Sequence, residues 1–201
     1  MLFRSLLLGG LSVLLLGSLD DDLGSSLDGV LSLFQTIGGQ SADLIENITQ
    51  ADKIFVSGAG RSLLMLRGFA MRLMHLGFRS YVVGDTITPA FSENDLLIIG
   101  SGSGETRTLI SIAIKAKEIG GKITLISTRE KSTLSKLSYD TIIIPAYTDK
   151  VDEPSQRKPL LPGGSLFEEA LLVLLDSVVL PLSEVHSIPT TKAFSFHANL
   201  E

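Results

Sequence analysis

The chain has 201 residues, 22 acidic against 17 basic side chains, a net charge of −5 and no cysteine. At this length one domain with a substantial core is expected. The lack of cysteine excludes disulfides, thiolate metal sites and a cysteine nucleophile. The acidic balance, with a pI near 5.2, argues against nucleic acid as the main partner.

Residues 1–20 carry one Arg and the apolar run Leu6-Leu7-Leu8-Gly9-Gly10-Leu11-Ser12-Val13-Leu14-Leu15-Leu16. A spanning helix needs about 20 apolar residues, and this run is shorter. Two readings stay open for it. One is a helix covering apolar surface, for instance at a subunit interface. The other is a secretion or membrane-contacting segment, with a weakly charged start and no clean cleavage site. No other segment is long enough to cross a bilayer, so a membrane partner is not expected. Residues 1–25 are therefore set apart, and 26–201 are read as a single domain.

Asp20-Asp21-Asp22 and Gly24-Ser25-Ser26 mark a break. Residues 27–48 then show helical spacing, interrupted at Gly38-Gly39, with a second piece running to Gln50. Strands are expected at 53–57, 79–83, 95–99, 122–127 and 141–145. Helices are expected at 63–76, stopped by Gly77, and at 107–119, closed by Gly120-Gly121. Residues 132–137 suit a short helix or turn, and 147–164 a loop rich in proline and glycine. A long apolar helix spans 166–180 and is expected to end at Pro181, with a last helical piece from Pro189. Strands alternating with helices, several of them continuous apolar runs, indicate a parallel sheet covered on both faces. The expected fold is thus α/β, a doubly wound five-stranded parallel sheet flanked by helices, in the manner of a flavodoxin-like sandwich. Ligands of such sheets sit at the carboxyl ends of the strands.

Two turns fall there. Ser57-Gly58-Ala59-Gly60-Arg61-Ser62 starts like a dinucleotide fingerprint, with Asp85 near the place of a ribose-binding acid, but Leu63 replaces the third glycine. A tight strand-to-helix connection is the plain alternative. Ser101-Gly102-Ser103-Gly104-Glu105-Thr106 is more specific, because three hydroxyls and two glycines at a strand-to-helix junction are poor choices for packing alone. Backbone amides, hydroxyls and the helix dipole there suit a phosphomonoester without a lysine. A Ser/Thr-rich helix cap remains the alternative. Neither turn is followed by the Gly-Lys-Ser/Thr of a P-loop.

Glu168, at the start of the apolar helix, is a candidate general base. Partial burial raises such a carboxyl's pKa and a helix N-terminus lowers it. A first-turn acid that only stabilises the dipole reads the same in sequence. His197 is a proton-shuttle candidate, or else a tail residue in solvent. His75 suits a core or interface position and His186 the surface. Three scattered histidines do not suggest a metal cluster, so no metal is expected.

Several stretches carry a resemblance. They are Gly58–Ser62, Ala70-Met71-Arg72-Leu73-Met74-His75-Leu76-Gly77, Tyr81–Thr86, Thr88-Pro89-Ala90, Ser101–Thr106, Gly164–Glu168 and the terminal His197-Ala198-Asn199-Leu200-Glu201. In that order they resemble the 6-phospho-3-hexuloisomerase family of SIS (sugar isomerase) domains, from about residue 50 to the end. The resemblance implies interconversion of D-arabino-3-hexulose 6-phosphate and fructose 6-phosphate without a metal or redox cofactor, in the ribulose monophosphate route of formaldehyde fixation. It implies a cytoplasmic homo-oligomer, a tetramer, with a sugar-phosphate substrate. It supports Glu168 as base and His197 as shuttle, acting in its own or a neighbouring subunit. The substrate-binding expectation covers Ser57, Gly58, Arg61, Ser62, Thr86, Ser101, Gly102, Ser103, Gly104, Glu105 and Thr106. Arg61 would neutralise phosphate or enediolate charge. The chain departs from the family at Leu63, where glycine is usual, and at Phe196, where arginine precedes the terminal motif. A non-catalytic phosphosugar sensor and an aldose–ketose phosphosugar isomerase are the competing readings.

Overall fold

Short apolar runs alternate with amphipathic stretches along the chain, and each pattern becomes a distinct element in the computed structural model, which describes residues 40–146, 165–185, 194–197 and 199–200. The elements are α1 (Ser41–Gln50), β1 (Ile54–Gly58), α2 (Arg61–His75), β2 (Ser80–Val82), β3 (Leu96–Gly100), α3 (Arg107–Ile119), β4 (Lys122–Ser127), α4 (Thr133–Leu137), β5 (Asp140–Ile143) and α5 (Ser165–Val185), then one 3-10 turn, Phe194–Phe196. The strands form a single sheet in the order β2-β1-β3-β4-β5, and every pairing is parallel. Expectations for segment 1–25, the helix over 27–39, the loop 147–164, His186 and a helix from Pro189 to 193 fall outside the described residues.

Leu96-Leu97-Ile98-Ile99 shows why the strands read as unbroken apolar runs. Alternate residues face opposite layers, and both layers are dry. Leu96 and Ile98 join Ile54 and Val56 under Leu44, Leu66, Phe69 and Leu171, from α1, α2 and α5. Leu97 and Ile99 join Phe55 and Leu125 under Leu109, Ala113 and Leu134, from α3 and α4. Helix α3 buries Leu109, Ala113 and Ala116, a stripe at spacings of four and three, and stops at Gly120. That glycine has φ +97°, and its N–H closes on the Ala116 and Lys117 carbonyls.

Strand ends shift from expectation by one or two residues, and two helix boundaries change the reading of the chain. Helix α5 does not end at Pro181 but runs on to Val185. Proline removes one N–H, yet the buried stripe Leu171, Leu174, Leu175, Val178, Leu182 continues past it without a break. Helix α2 begins two residues early, so Arg61 is its first residue rather than part of the preceding turn.

The chain leaves β1 through α2 to reach β2 on one side, and returns to β3 on the other side of β1. The crevice between the carboxyl ends of β1 and β3 is therefore the switch point of the sheet. Gly58 and Gly100, the last residues of those strands, are direct partners there. A Cβ at Gly100 would lie 3.0 Å from Leu66 Cδ1 and 3.1 Å from Leu171 Cδ2. The two glycines thus let α2 and α5 close over the switch point.

Candidate active site at the sheet switch point

The first turn brings a helix N-terminus to the crevice. Ser57 is buried at the end of β1, and Gly60 caps α2 with φ +58° and ψ −135°, a conformation essentially reserved for glycine. The N-cap Gly60 has no side chain with which to cap α2, so the positive end of the helix dipole lies at the carboxyl end of β1. Ser62 is buried in the same first turn. Leu63 donates its N–H to the Gly60 carbonyl at 3.1 Å.

Arg61 reaches across to α5. Its Nε lies 2.9 Å from Glu168 Oε2, with the arginine side chain 52% exposed and the glutamate 13%. A mostly buried carboxylate is thus held at the crevice by a guanidinium that sits at the mouth. The sequence pointed to Arg61 as a partner for substrate charge. The structure pairs its Nε with the candidate base, which joins the two expectations into one unit.

The second turn folds back on itself at the end of β3. Ser101 is buried, and its N–H extends the β3–β4 ladder to the Ile126 carbonyl. Ser101 Oγ lies 3.3 Å from Thr106 Oγ1 and accepts the Gly104 N–H at 3.2 Å, folding the loop back on itself. Gly104 has φ +66°, and a Cβ there would come within 2.3 Å of Ser132 Oγ. Thr106 is the N-cap of α3 and makes no side-chain cap bond, so the α3 amides open onto the loop.

Glu105 has another duty. Its Oε1 accepts the Thr133 N–H at 2.8 Å, at the start of α4. Hydrogen bonding from Thr133, helped by Arg129 and Lys136, holds its carboxyl below the ordinary range. Glu105 therefore fastens the loop to the start of α4, and the structure does not turn it toward the crevice.

Other expected residues fall elsewhere. Thr86 is exposed in the turn after β2, at the same edge of the sheet. Asp85 beside it is 2.6 Å from Arg67 Nη2, so the acid that suggested a dinucleotide site is engaged by α2. His197 stacks on the buried His75 with ring centroids 5.3 Å apart and planes at 23°. His75 ends α2, whereas Arg61 begins it. Fourteen residues at 1.5 Å rise separate His197's partner from Arg61 by roughly 20 Å. His197 is thus remote from Glu168 within one subunit.

Two residues at the end of β4 touch the second turn without having been singled out. Ser127 Oγ and Thr128 Oγ1 both donate to the Gly102 carbonyl, at 3.1 and 2.8 Å. The available signal was a hydroxyl pair ending the strand next to β3.

Residues 47–153 match the SIS domain family. The chain belongs to that family. It is 43% identical over 166 residues to the 3-hexulose-6-phosphate isomerase of Bacillus subtilis, covering 82% of this chain and 89% of the relative. It is 42% identical over 162 residues to the enzyme of the same name from Mycobacterium gastri, covering 81% and 80%. A crystal structure of a Methanococcus jannaschii protein, inferred to be a 3-hexulose-6-phosphate isomerase, aligns with a TM-score of 0.78 at 35% identity, over 90% of this chain and 99% of that one. The SIS match contains both turns and stops before Glu168 and His197. It therefore speaks to the cradle more than to the two residues proposed for the chemistry.

Proposed function

We propose that the protein is a phosphosugar isomerase that interconverts D-arabino-3-hexulose 6-phosphate and fructose 6-phosphate. The observation that carries this reading is the meeting, at one switch point, of two helix N-termini with the Arg61–Glu168 pair. The relatives named above support the particular ketose pair.

The phosphate is held by the amides and hydroxyls of the 101–106 turn, which leaves the carbonyl end of the sugar toward Glu168. The Glu168 carboxylate removes the proton from C2 of the 3-ketose. The C2–H electrons form the C2=C3 bond, and the carbonyl electrons move onto O3, which takes a proton. In the resulting cis-enediol, O2 gives up its proton and re-forms a carbonyl at C2. The protonated Glu168 then returns a proton to C3, giving fructose 6-phosphate. Arg61 pairs with the carboxylate and offsets the enediolate charge.

His197 is the group we assign to the O2/O3 proton exchange. Because it docks on His75, far from its own chain's Glu168, it serves the site of a neighbouring subunit. This requires an oligomer, for which the tetramer is the expected form, working in the cytoplasm on a ribulose monophosphate route. Among the described residues no helix is long and apolar enough to cross a membrane.

The test is a coupled assay in which the 3-hexulose phosphate is supplied and fructose 6-phosphate is detected. Pure, folded protein without turnover would overturn the isomerase reading. Co-refolding inactive Glu168→Gln and His197→Asn chains tests the shared site. Random pairing recovers about a quarter of wild-type activity if the histidine acts across the interface. It recovers none if both residues act within one chain.

A further inference from the structure

The end of β4 grips the second turn through a single atom. The Gly102 carbonyl accepts three hydrogen bonds, from Thr128 N–H at 3.1 Å, Ser127 Oγ at 3.1 Å and Thr128 Oγ1 at 2.8 Å. All three donors lie on the β4 side of β3, whereas β1 and the crevice lie on the other side. In a planar trans peptide the N–H points opposite to the C=O. Drawing the Gly102 carbonyl toward β4 therefore turns the Ser103 N–H toward β1. Among the described residues that N–H has no acceptor. Ser127 is fully buried, and its Oγ also accepts the Arg129 N–H at 3.3 Å, so the gripping side is itself fixed.

We infer that Thr128, backed by Ser127, is a positioning residue for the anion subsite. It aims the Ser103 amide at an oxygen of a phosphomonoester, and it acts through the Gly102–Ser103 peptide. The inference rests on the phosphosugar reading given above. A preset peptide matters because an amide that must rotate into place loses part of its hydrogen-bond strength to reorganisation.

The experiment measures kcat, KM and, by calorimetry, fructose 6-phosphate binding in wild type, Thr128→Val, Thr128→Ser and the double variant Ser127→Ala/Thr128→Val. Melting without ligand is recorded for each. Thr128→Val is expected to raise KM and Kd roughly threefold, and the double variant roughly tenfold, the size of one well-oriented bond to a charged oxygen. kcat is expected to change less than about twofold, and Thr128→Ser to return Kd to near wild type. Thr124→Val, on the same strand, is the control. The Thr124 hydroxyl is buried without a partner among the described residues, so this variant should leave Kd unchanged.

Lower melting temperature with unchanged Kd and KM in the double variant would overturn the inference in favour of a purely structural role. Weakened binding of fructose 6-phosphate by the double variant, in a protein that never turns over, would uphold the positioning role while removing the isomerase reading. Normal turnover with Kd untouched in both valine variants would do the reverse.

Discussion

The two ends of the sheet each carry a charge pair on a buried carboxylate, and they treat it differently. At the amino ends of the strands, Asp95 Oδ2 receives Ser92 N–H at 2.6 Å, Ser92 Oγ at 2.7 Å and Lys53 Nζ at 3.0 Å. Lys53 also bonds the Ala90 carbonyl, so the pair ties a loop shut. At the carboxyl ends, Glu168 comes from α5 to meet Arg61 of α2, beside helix N-termini that have no side-chain cap. One end spends its polar groups on the fold. The other brings a carboxylate–guanidinium pair and two helix N-termini to the switch point. Polar chemistry alone does not mark a site; the mark here is the place of the polar groups, at the switch point of the sheet.

Opposite outcomes for the two carboxylates would sharpen that contrast. Glu168→Gln is expected to lower kcat by roughly 10²- to 10⁴-fold, the usual loss on removing a general base. Fructose 6-phosphate should still bind, because the 101–106 turn proposed to hold its phosphate is untouched. The melting temperature should hardly move, since Arg61 is half exposed and such a pair contributes on the order of 1 kcal/mol or less. Equal turnover in the variant would remove Glu168 as the base.

Asp95→Ala should behave in the inverse way. It leaves the largely buried Lys53 without its partner, which costs about 3 kcal/mol and is read as a lowered urea midpoint. The kcat of the folded fraction should stay within about twofold of wild type, because the pair lies at the far end of the strands. A large loss of kcat with an unchanged midpoint would reverse the assignment of the two ends.

The sheet was legible because its central strands are buried on both faces and must be apolar throughout. Leu96–Ile99 and Thr141–Ile144 could be read as strands without any knowledge of their neighbours. Gly58, Gly60 and Gly104 were legible for a related reason, since each holds a close approach or a positive φ that other residues resist. Pro181 misled because helix propensity is a local quantity, while the buried stripe that carries α5 past it is a tertiary one. Glu105, read as facing the ligand, bonds Thr133 instead. Nothing in Ser101–Thr106 shows which way an acid beside the loop will turn. The grip of Ser127 and Thr128 on Gly102 was hidden for the same reason, because it joins segments some 25 residues apart. The pairing of Arg61 with Glu168, more than 100 residues apart, depends on the packing of α5 on α2.

The smallest expected effect concerns the far end of α2, where His75 supports His197. Burial, then the nearby His197 and Arg72, lower the His75 pKa from its ordinary 6.5. The unfolded chain therefore takes up a proton at His75 more readily than the folded one. The stability contributed by neutral His75 is complete above pH 6.5, and it is lost as pH falls through the depressed folded-state value. Wild type should thus lose melting temperature on acidification through this range. His75→Phe, which keeps an aromatic ring beneath His197 without a titrating nitrogen, should lose less, by about 2 °C for a chain of this size. Because a proton on buried His75 is disfavoured beside His197 and Arg72, the same acidification should loosen the terminal segment from α2. Turnover should then fall on the acid side more steeply in wild type than in His75→Phe. Parallel pH profiles for the two proteins, in both melting and turnover, would show that the His75–His197 stack neither senses protons nor supports the distant site.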